Sequence, residues 1–230
     1  TNDNFALNCR IFQNPNAIGK IILVTGYNES HIKYAEVIYD LFQKGYSVYC
    51  YDHRGQGYSQ KYMDQKARGY FEDFDQLVSD LEKFFHFAKT FEQDSKTPTY
   101  ILAHSMGGAV TTMALAQNLI SPTKVIVSSP LFGLNLGPIK VLEIPIYFIA
   151  KILDFIGFAK SYAFGQKDCI PLLPFETNDV TNCRARFQTW RKILNDVLEV
   201  RLGGPTFHWI QEIIKVTRKI RKIAPRIQVP

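Results

Sequence analysis

Cysteine is scarce in this chain: Cys9, Cys50, Cys169 and Cys183 are widely spaced, and no two form a C-x-x-C pair. That excludes a disulfide scaffold and offers neither a zinc-ligand spacing nor a redox dithiol. It is the cysteine usage of a reducing compartment. Long uninterrupted apolar runs are missing too. The richest stretch, residues 141–158, is broken by Glu143, Pro145, Lys151 and Asp154, which argues against a membrane span. The opening TNDNFALNCR shows no cationic segment running into an apolar one, the pattern of a secretory leader. What is plentiful is aromatic: 17 Phe and 12 Tyr in 230 residues, with 46% of the chain hydrophobic, exclude disorder and predict one substantial core.

Charge is unevenly spread. Residues 1–130 carry 12 Lys/Arg against 13 Asp/Glu, whereas residues 131–230 carry 15 against 8. The whole basic excess of +6 therefore lies in the second part. Nucleic acid, anionic lipid and an anionic substrate are the partners such a surface fits.

Hydrophobic spacing alternates between strand and helix up to residue 129. NFALNCRIF places Phe5, Leu7, Cys9 and Ile11 on one side of a half-buried strand, and residues 21–24 (IILV) read as a strand buried on both faces. Ser30 is positioned to cap a helix with Tyr34, Val37, Ile38, Leu41 and Phe42 on its apolar face, ending at Gly45. Strand 46–51, a helix presenting Phe74, Leu77, Val78, Leu81 and Phe85, strand 99–103, helix 106–118 and strand 124–128 follow. This rhythm predicts a mostly parallel sheet with helices on both faces. The organisation expected is a core in residues 1–130, a helical cap in 131–226 and the opening of another core strand in 227–230.

Two loops at strand ends carry chemistry. Ala103-His104-Ser105-Met106-Gly107-Gly108 lies between strand and helix, the context of a nucleophile elbow. The serine there needs small neighbours, supplied by Ala103 and Gly107, and the helix start offers the Met106 N–H to a developing oxyanion. The alternative is a chance S-x-G turn, which the strand–motif–helix context disfavours. Thr25-Gly26-Tyr27-Asn28-Glu29 closes the first buried strand, and the Tyr27 N–H is the candidate second oxyanion donor; an ordinary strand-to-helix turn is the alternative. In Asp52-His53-Arg54-Gly55-Gln56-Gly57 the G-x-G lacks a following Lys-Ser/Thr, so the loop reads as structural, with Asp52 and Arg54 pinning neighbouring segments.

YDHRGQGYS, followed by ILAHSMGGA, resembles the serine α/β-hydrolases of the monoacylglycerol lipase and lysophospholipase branch, and HIKYAEVIYDLF and GGPTFHW resemble its bacterial lysophospholipases. The resemblance runs from about residue 21 to residue 230. It implies the α/β-hydrolase fold, Ser105 as nucleophile, Tyr27 and Met106 as oxyanion donors, and residues 131–226 as a lid. It also implies cleavage of the acyl ester of a lysophospholipid, in a bacterial cytoplasm or peripherally on the inner membrane, with no metal or organic cofactor. A monoacylglycerol lipase or carboxylesterase, and an inactive lipid-binding homologue, are the alternatives. One departure is Thr25-Gly26, where monoacylglycerol lipases usually have His-Gly.

The serine hydroxyl needs a histidine and an acid, in chain order Ser, acid, His. Only His208 follows Ser105, with Asp154, Asp168, Asp179 and Asp196 between them. All lie in the expected cap, so His208 is read as a cap residue, and acid and base are expected beyond Pro230 in a longer chain. Two cap features bear on substrate. Tyr147, Phe148, Ile152 and Phe155, with Ile156, could line an acyl channel, touch a bilayer or pack in the core. Lys215, Arg218, Lys219 and Lys222 form a basic run that either faces anionic headgroups or is simply solvated; no aromatic residues alternate with these charges, so nucleic acid is not expected as a partner.

Overall fold

A computed structural model describes residues 1, 3–62, 68–91, 97–134, 141–168, 174–178 and 180–230. Asp179 and Cys169 lie outside the described residues. The β-rich runs pair into one five-stranded sheet of order β1-β3-β2-β4-β5. The strands are β1 (Cys9–Phe12), β2 (Gly19–Val24), β3 (Tyr46–Tyr51), β4 (Thr99–His104) and β5 (Lys124–Ser128). Only β1 is antiparallel, with Cys9 opposite Tyr51; β2, β3, β4 and β5 run parallel, joined by helical crossovers. Central β2 is buried throughout, as its unbroken apolar run requires, whereas edge strand β5 leaves Ile126 65% exposed.

Helix α1 (Ala35–Gln43) covers one face, packing Ile38 with Leu23, Val48 and Cys50. Helices α2 (Phe74–Lys89) and α3 (Met106–Ala116) cover the other, around Phe74, Leu77, Phe85, Met106 and Met113. The apolar face expected of α2 is buried in full, and Asp73 caps the helix by accepting from the Asp75 N–H. The cap expected of Ser30 is not made. A short 3₁₀ turn, His31–Tyr34, precedes α1; the buried Asp52 carboxylate accepts from the His31 N–H at 2.8 Å, and the Ser30 hydroxyl donates to the same carboxylate at 3.0 Å.

Residues beyond β5 are helical, with α4 (Glu143–Leu153), α5 (Arg184–Asp196) and α6 (Phe207–Ile223). A turn at Asp154–Phe158, kinked where Gly157 takes φ 98°, follows α4. Helix α6 inserts Trp209, Ile213, Val216 and Ile220 into the main core beside α3, so the end of the expected cap packs as part of the core layer. Residues 227–230 run beside β5, where the Val125 N–H donates to the Pro230 carbonyl, without forming a regular strand.

Candidate active site

The strand-to-helix junction at Ser105 has the geometry that its sequence predicts. Ser105 takes φ 49° and ψ −117°, a strained conformation for a residue with a Cβ, and stands between the end of β4 and the start of α3. Contacts around it hold the strain: its N–H donates to Ser128 at 3.1 Å and its carbonyl accepts from Leu131 at 2.9 Å. Gly107 allows α3 to approach β2, since a Cβ there would overlap the Val24 and Thr25 carbonyl oxygens. The Met106 N–H belongs to the first turn of α3, which a helix leaves without an intrahelical acceptor.

The Thr25–Glu29 turn closes over this junction. A Cβ on Gly26 would lie 3.0 Å from the Ser105 Cβ, so the turn and the elbow touch. Glu29, which the sequence reading passed over, ties them together. Its Oε2 accepts from the Gly26 N–H at 2.6 Å, the Tyr34 hydroxyl at 2.5 Å and His104 Nδ1 at 3.0 Å; its Oε1 accepts from Lys33 at 2.6 Å. Burial alone would raise this carboxyl, but the bonds from His104, Lys33 and Tyr34 outweigh it and hold the pKa at about 2. The one hint was an acid at a strand end, four residues before a lysine.

Tyr27 is fixed from the other side. Its ring packs on Trp209 at 4.8 Å between centroids, and its hydroxyl donates to the Gly203 carbonyl at 2.8 Å. Gly69 leaves the room this needs, because a Cβ there would collide with the Tyr27 ring. Backbone bonds from Gly69 to Gly204 and from Thr206 to Gly69, both 3.0 Å, anchor the same segment.

The loop after β3 pins its neighbours, as read from the sequence. Asp52 accepts from the His31 N–H at 2.8 Å and the Tyr58 N–H at 2.9 Å. Burial works against its charge, yet the His31 and Tyr58 bonds keep its pKa below the ordinary value. Arg54 donates twice to Asp80 at 2.7 Å and twice to Asp3, at 2.8 and 3.5 Å. His53 donates from Nε2 to the Thr25 carbonyl at 3.0 Å, and burial keeps its ring neutral.

Among the described residues, none of the five histidines hydrogen-bonds the Ser105 hydroxyl. His208 pairs through Nδ1 with Asp154 at 2.8 Å and through Nε2 with the Glu72 carbonyl at 2.9 Å. Both ring nitrogens are occupied, so this pair fastens the helical segment to the residues before α2. His31 is half-buried against Asp52. Asp196 is exposed at the end of α5.

A cavity of about 640 Å³ opens at Ser105. Its apolar wall comes from Ile32 and from Phe187, Trp190 and Ile193 of α5; Lys33, Glu36, Arg186 and His104 supply polar edges. Tyr147, Phe148, Ile152 and Phe155 are not among its lining residues. Tyr147 instead lines a groove between α4 and α6, and Phe148, Ile152 and Phe155 are exposed. Phe187, Trp190 and Ile193, three residues apart, carried a helical signal that the sequence reading left without a role.

Strand order, strained serine and cavity at the carboxyl ends of the strands describe an α/β-hydrolase. The chain belongs to the family described as serine aminopeptidase, S33, which matches residues 15–230. It is 33% identical over 198 residues to lysophospholipase L2 of Escherichia coli K12, covering 84% of this chain and 56% of that protein. It is likewise 33% identical over 223 residues to a probable lysophospholipase L2 of Haemophilus influenzae Rd, covering 96% and 68%. The chain thus spans little more than half the length of the Escherichia coli relative. Among solved structures it resembles the monoacylglycerol lipase of Paleococcus ferrophilus, with TM-score 0.68, 19% identity, and 97% of this chain and 75% of that one covered. It also resembles a soluble variant of the monoglyceride lipase of Saccharomyces cerevisiae, with TM-score 0.65, 22% identity, and 96% and 67% covered. These two likenesses establish the fold.

Proposed function

We propose that this chain carries the nucleophile and oxyanion site of a hydrolase acting on the carboxylic ester of a lysophospholipid. The observation that carries the reading is Ser105 at φ 49°, held at the mouth of a largely apolar cavity. In this reading the Ser105 Oγ bonds to the ester carbonyl carbon while a base takes its proton. The oxyanion is held by the Tyr27 and Met106 N–H groups, whose positions are set by Trp209 and Gly203 on one side and by α3 on the other. The alcohol departs with a proton, and water then releases the fatty acid from the acyl-serine. The apolar wall of Ile32, Phe187, Trp190 and Ile193 suits an acyl chain. Two relatives that share a third of their aligned residues with this chain and bear the lysophospholipase name favour that substrate over a monoglyceride. A peptide substrate, suggested by the family description, is the contrast to test.

The test uses the complete gene product that contains this sequence. A serine-directed fluorophosphonate should label Ser105, and Ser105→Ala should abolish labelling together with release of fatty acid from lysophosphatidylethanolamine. Undiminished hydrolysis by the Ala variant would refute the nucleophile. Cleavage of an aminoacyl anilide without any lysophospholipid turnover would refute the substrate class.

A further inference from the structure

Helix α1 carries an apolar stripe that it does not bury in full. Ala35, Ile38, Tyr39 and Phe42 recur along it at helical spacing. Ile38 is buried against Leu23 and Val48, whereas Tyr39 is 62% exposed. Edge strand β1 brings Phe12 to the same side: it stands opposite Val48 in the register, and directly paired residues share one face of a sheet. Together these side chains line a groove of about 380 Å³ between α1 and β1. Gln13 and His31 complete the lining, and His31 Nδ1 is already committed to Asp52 at 3.1 Å.

The groove adjoins the Ser105 cavity. Ile32 and Ala35 line both hollows. Ala35 is the exposed first residue of α1 and carries only a methyl group, so the ridge between them is low. Apolar surface therefore passes from the α5 wall of the cavity, across Ile32 and Ala35, onto the stripe. Helix α1 leads from the end of β2 back to the start of β3, so the stripe runs away from Ser105. From Ala35 to Phe42 it extends about 10 Å, at roughly 1.5 Å per residue.

We infer that the α1–β1 groove holds the far end of a long acyl chain whose ester lies at Ser105, so that Phe12, Ile38, Tyr39 and Phe42 set the preferred acyl length. The inference rests on the proposed ester hydrolysis and adds to it a site for the tail. The groove's lining contains no lysine, arginine or carboxylate, so it offers nothing to a phosphate headgroup or a metal. Methylene groups gain from each apolar contact they make there, and a concave apolar hollow continuous with the reacting site is where a tail would lie. A second copy of the chain fits poorly. The exposed apolar residues here, Phe12, Val37 and Tyr39, are few against the roughly 20–30 residues a side of a stable protein contact.

Two measurements on the complete gene product test it. The first compares nitrophenyl butyrate with nitrophenyl laurate. Phe12→Ser/Tyr39→Ser changes two partly exposed side chains, so the fold should survive. It should lower kcat/KM for the laurate roughly tenfold. The butyrate value should stay unchanged, because so short an acyl group ends inside the Ser105 cavity. In the second, palmitic acid bearing a diazirine at its terminal carbon is photolysed with Ser105→Ala. The label should fall on the tryptic peptides 11–20 or 34–44, and unmodified palmitate should compete it away. Any of three results overturns the inference: a laurate-to-butyrate ratio that the double variant does not alter, label confined to α4 or α5, or a dimer that the double variant dissociates. The photolabel needs no turnover, so a wild type inactive on both esters would refute the proposed function and leave the label alone to decide the groove.

Discussion

Glu29 offers the sharpest test of how the Thr25–Glu29 turn is held. Glu29→Gln keeps the shape of the side chain but replaces a carboxylate that accepts four hydrogen bonds with an amide that must point an NH₂ at one or more of its former donors. The wild-type carboxyl titrates at about 2 against an ordinary 4.5, a difference worth about 3 kcal/mol of folding free energy. Because the folded value is the lower one, that stability is fully present above pH 4.5 and fades as pH falls toward 2. Urea unfolding at pH 7 should therefore show the variant less stable by about 3 kcal/mol, equivalent to about 6–12 °C in Tm for a chain of this size. The gap between the two proteins should narrow steadily below pH 4.5, since protonation removes from wild type what the substitution has already removed. A gap that stays constant from pH 7 to pH 3, or one below about 0.5 kcal/mol at pH 7, would refute the role given to this carboxylate.

Three further outcomes follow from the geometry around it. Gly107→Ala should cost about 2–3 kcal/mol in urea unfolding, because its methyl would press on the Val24 and Thr25 carbonyls at the end of β2, which cannot swing away; a neutral effect would mean that α3 and β2 separate easily. Arg54→Met should cost about 3–5 kcal/mol by leaving the buried Asp80 carboxylate unpaired, and Arg54→Met/Asp80→Leu should recover most of that; equal losses in the two variants would show that the pair itself is unimportant. Tyr27→Phe removes one hydrogen bond to Gly203 and should lower stability by about 1 kcal/mol; in the complete gene product it should also reduce kcat on a water-soluble ester several-fold without moving KM, whereas a change in KM alone would detach this side chain from the proposed oxyanion site.

Legibility in the sequence divides along a physical line. The apolar runs and their spacing placed β2, β3 and β4 within a residue or two and marked the buried face of α2, because burial of one face imposes a period that a short window of residues displays. Ser30 shows the limit: its type and position suit a helix cap, yet a carboxylate 22 residues away accepts both its hydroxyl and the His31 N–H. His208 shows it again, since its partners Asp154 and Glu72 lie 54 and 136 residues distant.

By itself, then, the sequence determined the alternation of strand and helix, the strained serine between β4 and α3, and the separation of a basic second part from a nearly neutral first. Those are local properties: a side-chain period, a pair of small residues beside a turn, a count of charges. Only the tertiary structure decided that Glu29 joins the turn after β2 to the elbow, that α5 and not α4 walls the Ser105 cavity, and that α6 sits in the core with its cations outward. Each of these depends on which helix face meets which neighbour. That is settled by packing the whole chain at once, where a buried charge must find its donors and two helices compete to cover the same end of a sheet.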